Sequence, residues 1–489
     1  MASLWPGFAL EDRAHEGKTT VNDEATPHAP VQTYAGTSWG GELRAMFALA
    51  WPLVVAQLAQ TALTTTNVIM LGWLGPESLA AGALATSFLM PLLIFGMGIV
   101  GAVAPLAAQA RGARDIKAIR RIVRQGFWVS LLLGAILVPV VLQIRIIYGH
   151  LGQDEALIAY SEQYVQIAAW MIFPALGMMV VRSLLSVFDA IRVILVVTAA
   201  GVVVNVFLSY GLTFGHFGMP RLELRGAALG TTITNILMFG ALLAYVLRQR
   251  RFRRFHILVR FWKPDWRHFR EIIRIGLPIG LTVLAEVGLF TAAALLMGLL
   301  GTDEVAAHAV AQQCASLAFM VPMGLGIAAT VRVGIAYGRR DKDGIRKAGW
   351  TAFVLGTGFM ALSCFVFLTF APDIVGIFLD PSHAENARAL SLAASFLVVA
   401  GIFQIVDGAQ VVAAHALRGL SDTKIPMLLA IVGYWLIGLP ISWVLGLQLG
   451  WGGVGVWTGL AAGLAFAAIA LGSRFALRER LGLLQTIPG

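Results

Sequence analysis

Charge is scarce in this 489-residue chain: Asp, Glu, Lys and Arg together make up 13% of it, against 58% for hydrophobic residues. That leaves too little polar surface to cover an ordinary soluble globule, so the bilayer must act as solvent. Cysteine is nearly missing as well. The two present, Cys314 and Cys364, both fall inside apolar stretches, which argues against a disulfide framework or a metal cluster and for small core hydrophobes. There is no GxxxxGK[ST] phosphate loop and no polar stretch long enough for a nucleotide-binding domain, so ATP is not expected to drive the chain directly. Neither an HExxH pattern nor a cluster of His, Asp or Ser at one membrane face occurs, which speaks against an enzyme acting on lipid. The first 43 residues lack the charged start and apolar stretch of a signal peptide and are read as a flexible polar tail.

What remains is apolar sequence in long runs. A spanning helix needs about 20 mostly apolar residues, because roughly 1.5 Å of rise per residue then crosses about 30 Å of hydrocarbon. Twelve such spans are read at 45–74, 79–108, 122–147, 163–185, 193–214, 226–247, 271–300, 305–335, 348–371, 389–417, 425–446 and 451–477. Their continuity favours helices over the short alternating strands of a barrel. The net charge of +10 raises the question of nucleic acid, but the basic residues lie between the spans and form no single domain. With the two tails and the even-numbered connections on one side, all but Arg145, Arg221, Arg225 and Arg388 of the 36 Lys and Arg fall there. The positive-inside rule makes that side cytoplasmic, with both termini facing it.

The longest basic connection, rich in Arg from Arg248 to Arg274, divides the chain. The expected organisation is a tail over 1–43, a six-helix bundle over 44–247, a basic cytoplasmic linker over 248–270, a second six-helix bundle over 271–477 and a short tail over 478–489. A shift of 226 residues brings the halves into register. It pairs Pro52 with Pro278, Gly75 with Gly301, Gly98 with Gly324, Gly112 with Gly338 and Asp115 with Asp341, while later spans match more loosely. An even number of spans per half makes the two repeats parallel, the plan of transporters that rock two bundles about a central site.

Ionisable groups deep in a span are expensive and therefore candidates for function. Glu286 lies near the middle of the seventh span and Asp407 near the middle of the tenth. Facing one cavity, they would hold a proton or a small cation between them; the bland alternative is that each bonds a neighbouring helix. The position matching Glu286 in the first half is Gln60. Gln57, Gln60, Asn67 and Asn205 are neutral polar candidates for substrate contact or for helix linkage. His308 and His415 are read as packing residues, and Arg182 and Arg332 as side chains snorkelling from cytoplasmic ends. Phe290 and Phe403 join several Met residues as candidates for a greasy cavity that accepts aromatic cations.

These residues resemble the multidrug and toxic compound extrusion (MATE) family, in particular its NorM-like branch. Trp51-Pro52-Leu53 with Gln60-Thr61, Ala104-Pro105-Leu106 through Gly112, Glu286, Ala306-Ala307-His308, and Asp407 through Val412 with Leu417-Arg418-Gly419 carry the likeness, spread from about residue 43 to 477. The resemblance implies a V-shaped pair of six-helix bundles that exports organic cations and drugs across the inner membrane in exchange for Na⁺ or H⁺. It implies no cofactor, no enzymatic activity and no nucleic-acid partner, with membrane lipid around a monomer. Glu286 and Asp407 match the family's cation-coupling acids, with Na⁺ as one candidate occupant. Two positions depart from the pattern: Asn67 stands where many members carry an acid, and Phe403 where related proteins carry Tyr. The rival reading is a lipid-linked oligosaccharide flippase of related two-bundle plan, which would favour Arg and Lys at mid-membrane, where no basic residue is placed.

Overall fold

The computed structural model describes residues 38–378, apart from 254, 256, 258 and 260, and residues 387–484. The expected N-terminal tail as far as residue 37 and the end of the C-terminal tail lie outside the described residues. Among those described, twelve helices are long and apolar enough to cross a membrane. They are α1 (Trp39–Leu74), α2 (Pro76–Gly112), α3 (Ile116–Leu142), α4 (Glu155–Val187), α5 (Ile191–Phe214) and α6 (Glu223–Arg248) in the first half. The second half has α7 (Trp266–Leu300), α8 (Thr302–Gly338), α9 (Lys342–Phe378), α10 (Ala387–Gly419), α11 (Lys424–Gln448) and α12 (Gly452–Ala476).

Most helices run past the expected apolar spans because polar caps extend them. Ser38, Asp115, Asp154 and Asp265 each accept a hydrogen bond from a backbone N–H of the first turn they precede. The α1–α2 and α7–α8 corners turn on single glycines, Gly75 at φ +127° and Gly301 at φ +149°, a backbone that side-chain-bearing residues rarely adopt. The linker is pinned down. Phe255 packs on Phe188 at 4.9 Å, and Trp128 of α3 stacks on Phe261 while donating to its carbonyl at 2.9 Å.

The repeat is visible in the packing. A Cβ added at Gly98 would stand 2.6 Å from Gly280 Cα, and one at Gly324, its mate in the repeat, 2.6 Å from Val54, the mate of Gly280. Likewise Gly112 abuts the Ile335 carbonyl, and Gly338 that of Gln109. The two halves thus meet through a pseudo-symmetric seam between α1 and α8 and between α2 and α7. Its tight contacts fall in the halves of these helices nearest the basic loops. On that face Glu42 accepts from Arg332 at 2.5 and 2.6 Å, with the two side chains 5% and 10% exposed. Arg332 therefore does not snorkel, as expected from sequence: it crosses the seam, because a bidentate carboxylate lies closer than water. Gln109 adds bonds to the Gly419 carbonyl and to Ser421, both at 2.9 Å.

The looser match of the later spans also has a structural cause. Gly226 and Gly230 of α6 lie against Leu212 and Ser209 of α5, as Gly455 and Gly459 of α12 lie against Leu445 and Ser442 of α11. The pairing is the same, but α11 contains two π-helical stretches, Val432–Gly438 and Val444–Gln448, where α5 is α-helical throughout. Wider turns take up extra residues and break the constant offset.

Candidate functional site

Glu286 reaches the middle of the second half on α7 and lines a cavity of about 20 Å³ between α7, α10 and α11. That is room for one water or one small ion. Thr282, Gln410, Arg418 and Tyr434 share its wall. Tyr434, carried on the first π-helical stretch, donates a hydrogen bond to Gln410 Oε1. Asp407 lies one turn before Gln410 on α10 and is 5% exposed. Its Oδ1 is buried without a hydrogen-bond partner. Glu286 and Tyr434 each lie within electrostatic reach of both Asp407 and Arg418. A buried carboxylate oxygen without a donor is costly, and a proton or an oxygen-seeking cation would satisfy it.

Arg418 was missed by sequence reasoning as a member of this group. Its place at the end of the tenth span, before Gly419 and the Ser-Asp turn, assigns it to the basic loops by the positive-inside count. In the structure it faces Glu286, held by His415. The His415 Nδ1 is 2.8 Å from the Val411 carbonyl, and Arg418 Nη1 is 3.1 Å from Nε2. A guanidinium can only donate, so Nε2 accepts and the proton sits on Nδ1. His415 is thus a neutral prop for the arginine. Arg182 is a second correction to the expectation that no arginine lies inside: it is 9% exposed and donates to Gln57 Oε1 of α1 at 3.1 Å.

The other candidates fall in different places. Phe403, 1% exposed, packs edge-on against Phe290 at 6.1 Å and Trp457 at 5.5 Å, with His308 over the same indole at 5.4 Å. Near it, Gln404 accepts from Ser363 at 2.7 Å. In the first half, Asn67 donates to Thr231 of α6 at 2.8 Å, and Gln60 keeps a buried Oε1 without a partner. Asn205 is fully buried and bonds Ser209 of its own helix at 3.3 Å. Cys314 and Cys364 are buried free thiols, and among the described residues no three His, Cys, Asp or Glu side chains gather as a metal site.

With this geometry in hand, comparison with known proteins is informative. The MatE family profile matches residues 52–211 and 278–444, two segments that begin at Pro52 and Pro278, the paired prolines of the repeat. The chain belongs to the MatE family. This MatE protein is 45% identical over 445 residues to a probable multidrug resistance protein NorM of Rhizobium meliloti (strain 1021), covering 91% of this chain and 95% of that one. It is 46% identical over 439 residues to the NorM of Brucella suis biovar 1 (strain 1330), covering 89% and 93%. Its fold is that of a crystal structure of a MATE in complex with MaL6, at TM-score 0.82 and 21% identity over 91% of this chain and 97% of that one. The crystal structure of the eukaryotic MATE transporter AtDTX14 gives TM-score 0.79 at 19% identity over 92% and 98%. The MatE protein is accordingly a multi-pass membrane transporter whose twelve helices form two parallel repeats of six.

Proposed function

We propose that this MatE protein is a secondary antiporter that exports organic cations and drugs across the cytoplasmic membrane in exchange for Na⁺ or H⁺, with Glu286 and Asp407 holding the coupling ion. The observation that carries the mechanism is the buried, unpartnered Oδ1 of Asp407, one turn before Gln410, which shares the wall of the ion-sized cavity with Glu286. Two neighbouring carboxylates, of which Glu286 faces the Arg418 guanidinium, leave room in the charge balance for one cation. A proton or Na⁺ entering there cancels the residual negative charge and satisfies the bare oxygen, so the loaded and empty states differ in how α7, α10 and α11 pack. A conformational equilibrium biased in this way couples the ion to the organic cation. Arg418, propped by His415, would return to Glu286 when the ion leaves. Phe403, in the place of a tyrosine, offers no hydroxyl, so the ion's oxygen ligands are the two carboxylates and the neutral groups around them.

The close seam at the basic face supports an arrangement closed on that side and accessible from the other. By the positive-inside rule we place the basic face, and both termini, in the cytoplasm. The bundles extend over 44–247 and 271–477, joined by the linker 248–270, and a single copy performs the cycle. Gln57, Gln60 and Asn67 on α1, with Phe290, are the residues we assign to the substrate path, while Asn205 bonds Ser209 within its own helix. The flippase alternative is disfavoured: the arginines at depth, Arg182 and Arg418, are engaged by Gln57 and by His415 and lie in different halves, not in a shared cradle for pyrophosphate.

The test is dye efflux from proteoliposomes driven separately by a sodium gradient and a pH gradient, which also identifies the ion. Glu286→Gln and Asp407→Asn should each abolish exchange while the protein elutes as a folded species. Undiminished export by the double variant would sink the mechanism.

A further inference from the structure

A second cavity, of about 550 Å³, opens on the basic face at the seam between the halves. Lys117 and Arg121 from the start of α3 line one wall; Arg267 and His268 from the start of α7, and Arg340 just after α8, line the other. Two acids also reach it, Asp115 and Glu271. The volume lies within the roughly 300–1,000 Å³ of small-molecule sites.

The repeat explains why this place is open. His268 occupies the position of Glu42 in the first half, and Leu106, also on the wall, the position of Arg332 in the second. The cavity is therefore the pseudo-symmetric counterpart of the buried Glu42–Arg332 pair. On that other side a carboxylate bridges the halves. On this side, among the described residues, the one carboxylate contact across the halves is the longer one from Asp265 to Arg121, at 3.7 Å, with no bidentate pair. The charges around it differ in the same sense. Lys117 stands where the second half has Asp343, and Asp343 neutralises its neighbours Arg346 at 2.8 Å and Lys347 at 2.6 Å. Of the acids near the cavity, Asp115 caps the Ala118 N–H at 2.9 Å, and Asp265 is shared by His268 at 3.0 Å and Arg121 at 3.7 Å. Among the described residues Lys117, Arg267 and Arg340 make no ion pair. Burial pushes the Asp265 carboxyl up, yet hydrogen bonds from His268 and the charges of His268 and Arg121 hold it below its usual range.

We propose that this cavity binds a phosphate-bearing anion that bridges the two halves and holds the basic-face seam shut. Arginine forks match phosphoryl oxygens in pairs, and Lys117, Arg267 and Arg340, which make no ion pair among the described residues, turn three cationic side chains toward one anion. Two sources share this chemistry: the headgroup of an acidic phospholipid in the adjoining leaflet, and free phosphate. An anion that binds the closed seam and not the open one stabilises the closed form by mass action, so it sets how often the transporter opens to that face. The site involves neither Glu286 nor Asp407, and the proposal stands whatever ion drives transport.

The full-length protein in neutral detergent is unfolded thermally in rising sodium phosphate, with sodium chloride at matched ionic strength as reference. The same protein is then compared in nanodiscs of phosphatidylcholine with and without phosphatidylglycerol. Phosphate or the acidic lipid should raise Tm beyond its reference, and the Arg267→Gln/Arg340→Gln variant should need at least about tenfold more phosphate, or lose the lipid effect. A response to phosphate alone assigns the site to a free anion; a response to phosphatidylglycerol alone assigns it to a headgroup. No response in either medium, or one undiminished in the variant, overturns the proposal. If the double variant does not fold, Lys117→Gln, in the exposed first turn of α3, is read by the same criteria.

Discussion

The Glu42–Arg332 pair allows the seam to be tested as a moving part. Both side chains are nearly enclosed, at 5% and 10% exposure, and the pair is bidentate. Glu42→Gln takes the carboxylate from Arg332 and leaves at most one neutral acceptor in its place. Removing one partner of a buried ion pair costs about 3–5 kcal/mol, because the remaining charge keeps its desolvation penalty. Once the halves part at the basic face, water reaches both positions and the penalty vanishes, so the loss falls on the closed form alone. At about 1.4 kcal/mol per factor of ten, even a loss of about 3 kcal/mol moves the closed-to-open ratio roughly 100-fold toward open. A bond retained by the amide reduces this to about tenfold at the least. Spin labels on exposed sites in the two halves, at Arg114 and Arg346, report the distance across the seam by pulsed dipolar spectroscopy. A new long-distance population should appear in Glu42→Gln and disappear in the Glu42→Arg/Arg332→Glu exchange. An unchanged distance distribution in Glu42→Gln would show that the seam does not part at this point.

Two further expectations concern the same interface. Gly338→Ala places a Cβ about 2.0 Å from the Gln109 carbonyl, so the halves must shift, at about 1–3 kcal/mol; Tm should fall, whereas Gly240→Ala, with nothing within 4 Å, should leave Tm unchanged or raise it. The Arg121–Asp265 contact joins α3 to α7, and the Asp265 carboxyl is held below its usual range. A depressed carboxyl stabilises the fold above its unfolded value and stops doing so as pH falls through the folded one. The Tm difference between the wild type and Asp265→Asn should therefore be present at neutral pH and disappear only in strong acid, as pH falls through the lowered carboxyl value; a difference that vanishes near neutral pH would contradict the assignment.

Much of the architecture was legible in the chain because membrane solvation is a strong constraint. Apolar runs must become helices when no water can satisfy a backbone, so twelve spans read from hydropathy became twelve helices with extended ends. The prolines and glycines of the repeat could be paired because close approaches tolerate few residue types. Gly98 against Gly280 and Gly324 against Val54 are such approaches. Glu286 and Asp407 were legible as well, since an acid at membrane depth has few inexpensive explanations.

Arginines were the weak point. Arg182, Arg332 and Arg418 each sit near a span's basic end, where the local sequence is the same whether the guanidinium reaches out to water or in toward a partner. Partners on other helices decided it: Gln57 for Arg182, Glu42 for Arg332 and Glu286 for Arg418. The sequence by itself determined how many times the chain crosses the bilayer, that it does so as a repeat, and which acids stand at membrane depth, because these follow from transfer free energies that act residue by residue. Only the tertiary structure decided which charges meet, that the seam is tied on one side by a buried bidentate pair and opens on the other into a cavity rich in cations, and that Tyr434 reaches Gln410 from a π-helical turn. Those outcomes depend on distances between segments hundreds of residues apart, which no local pattern encodes.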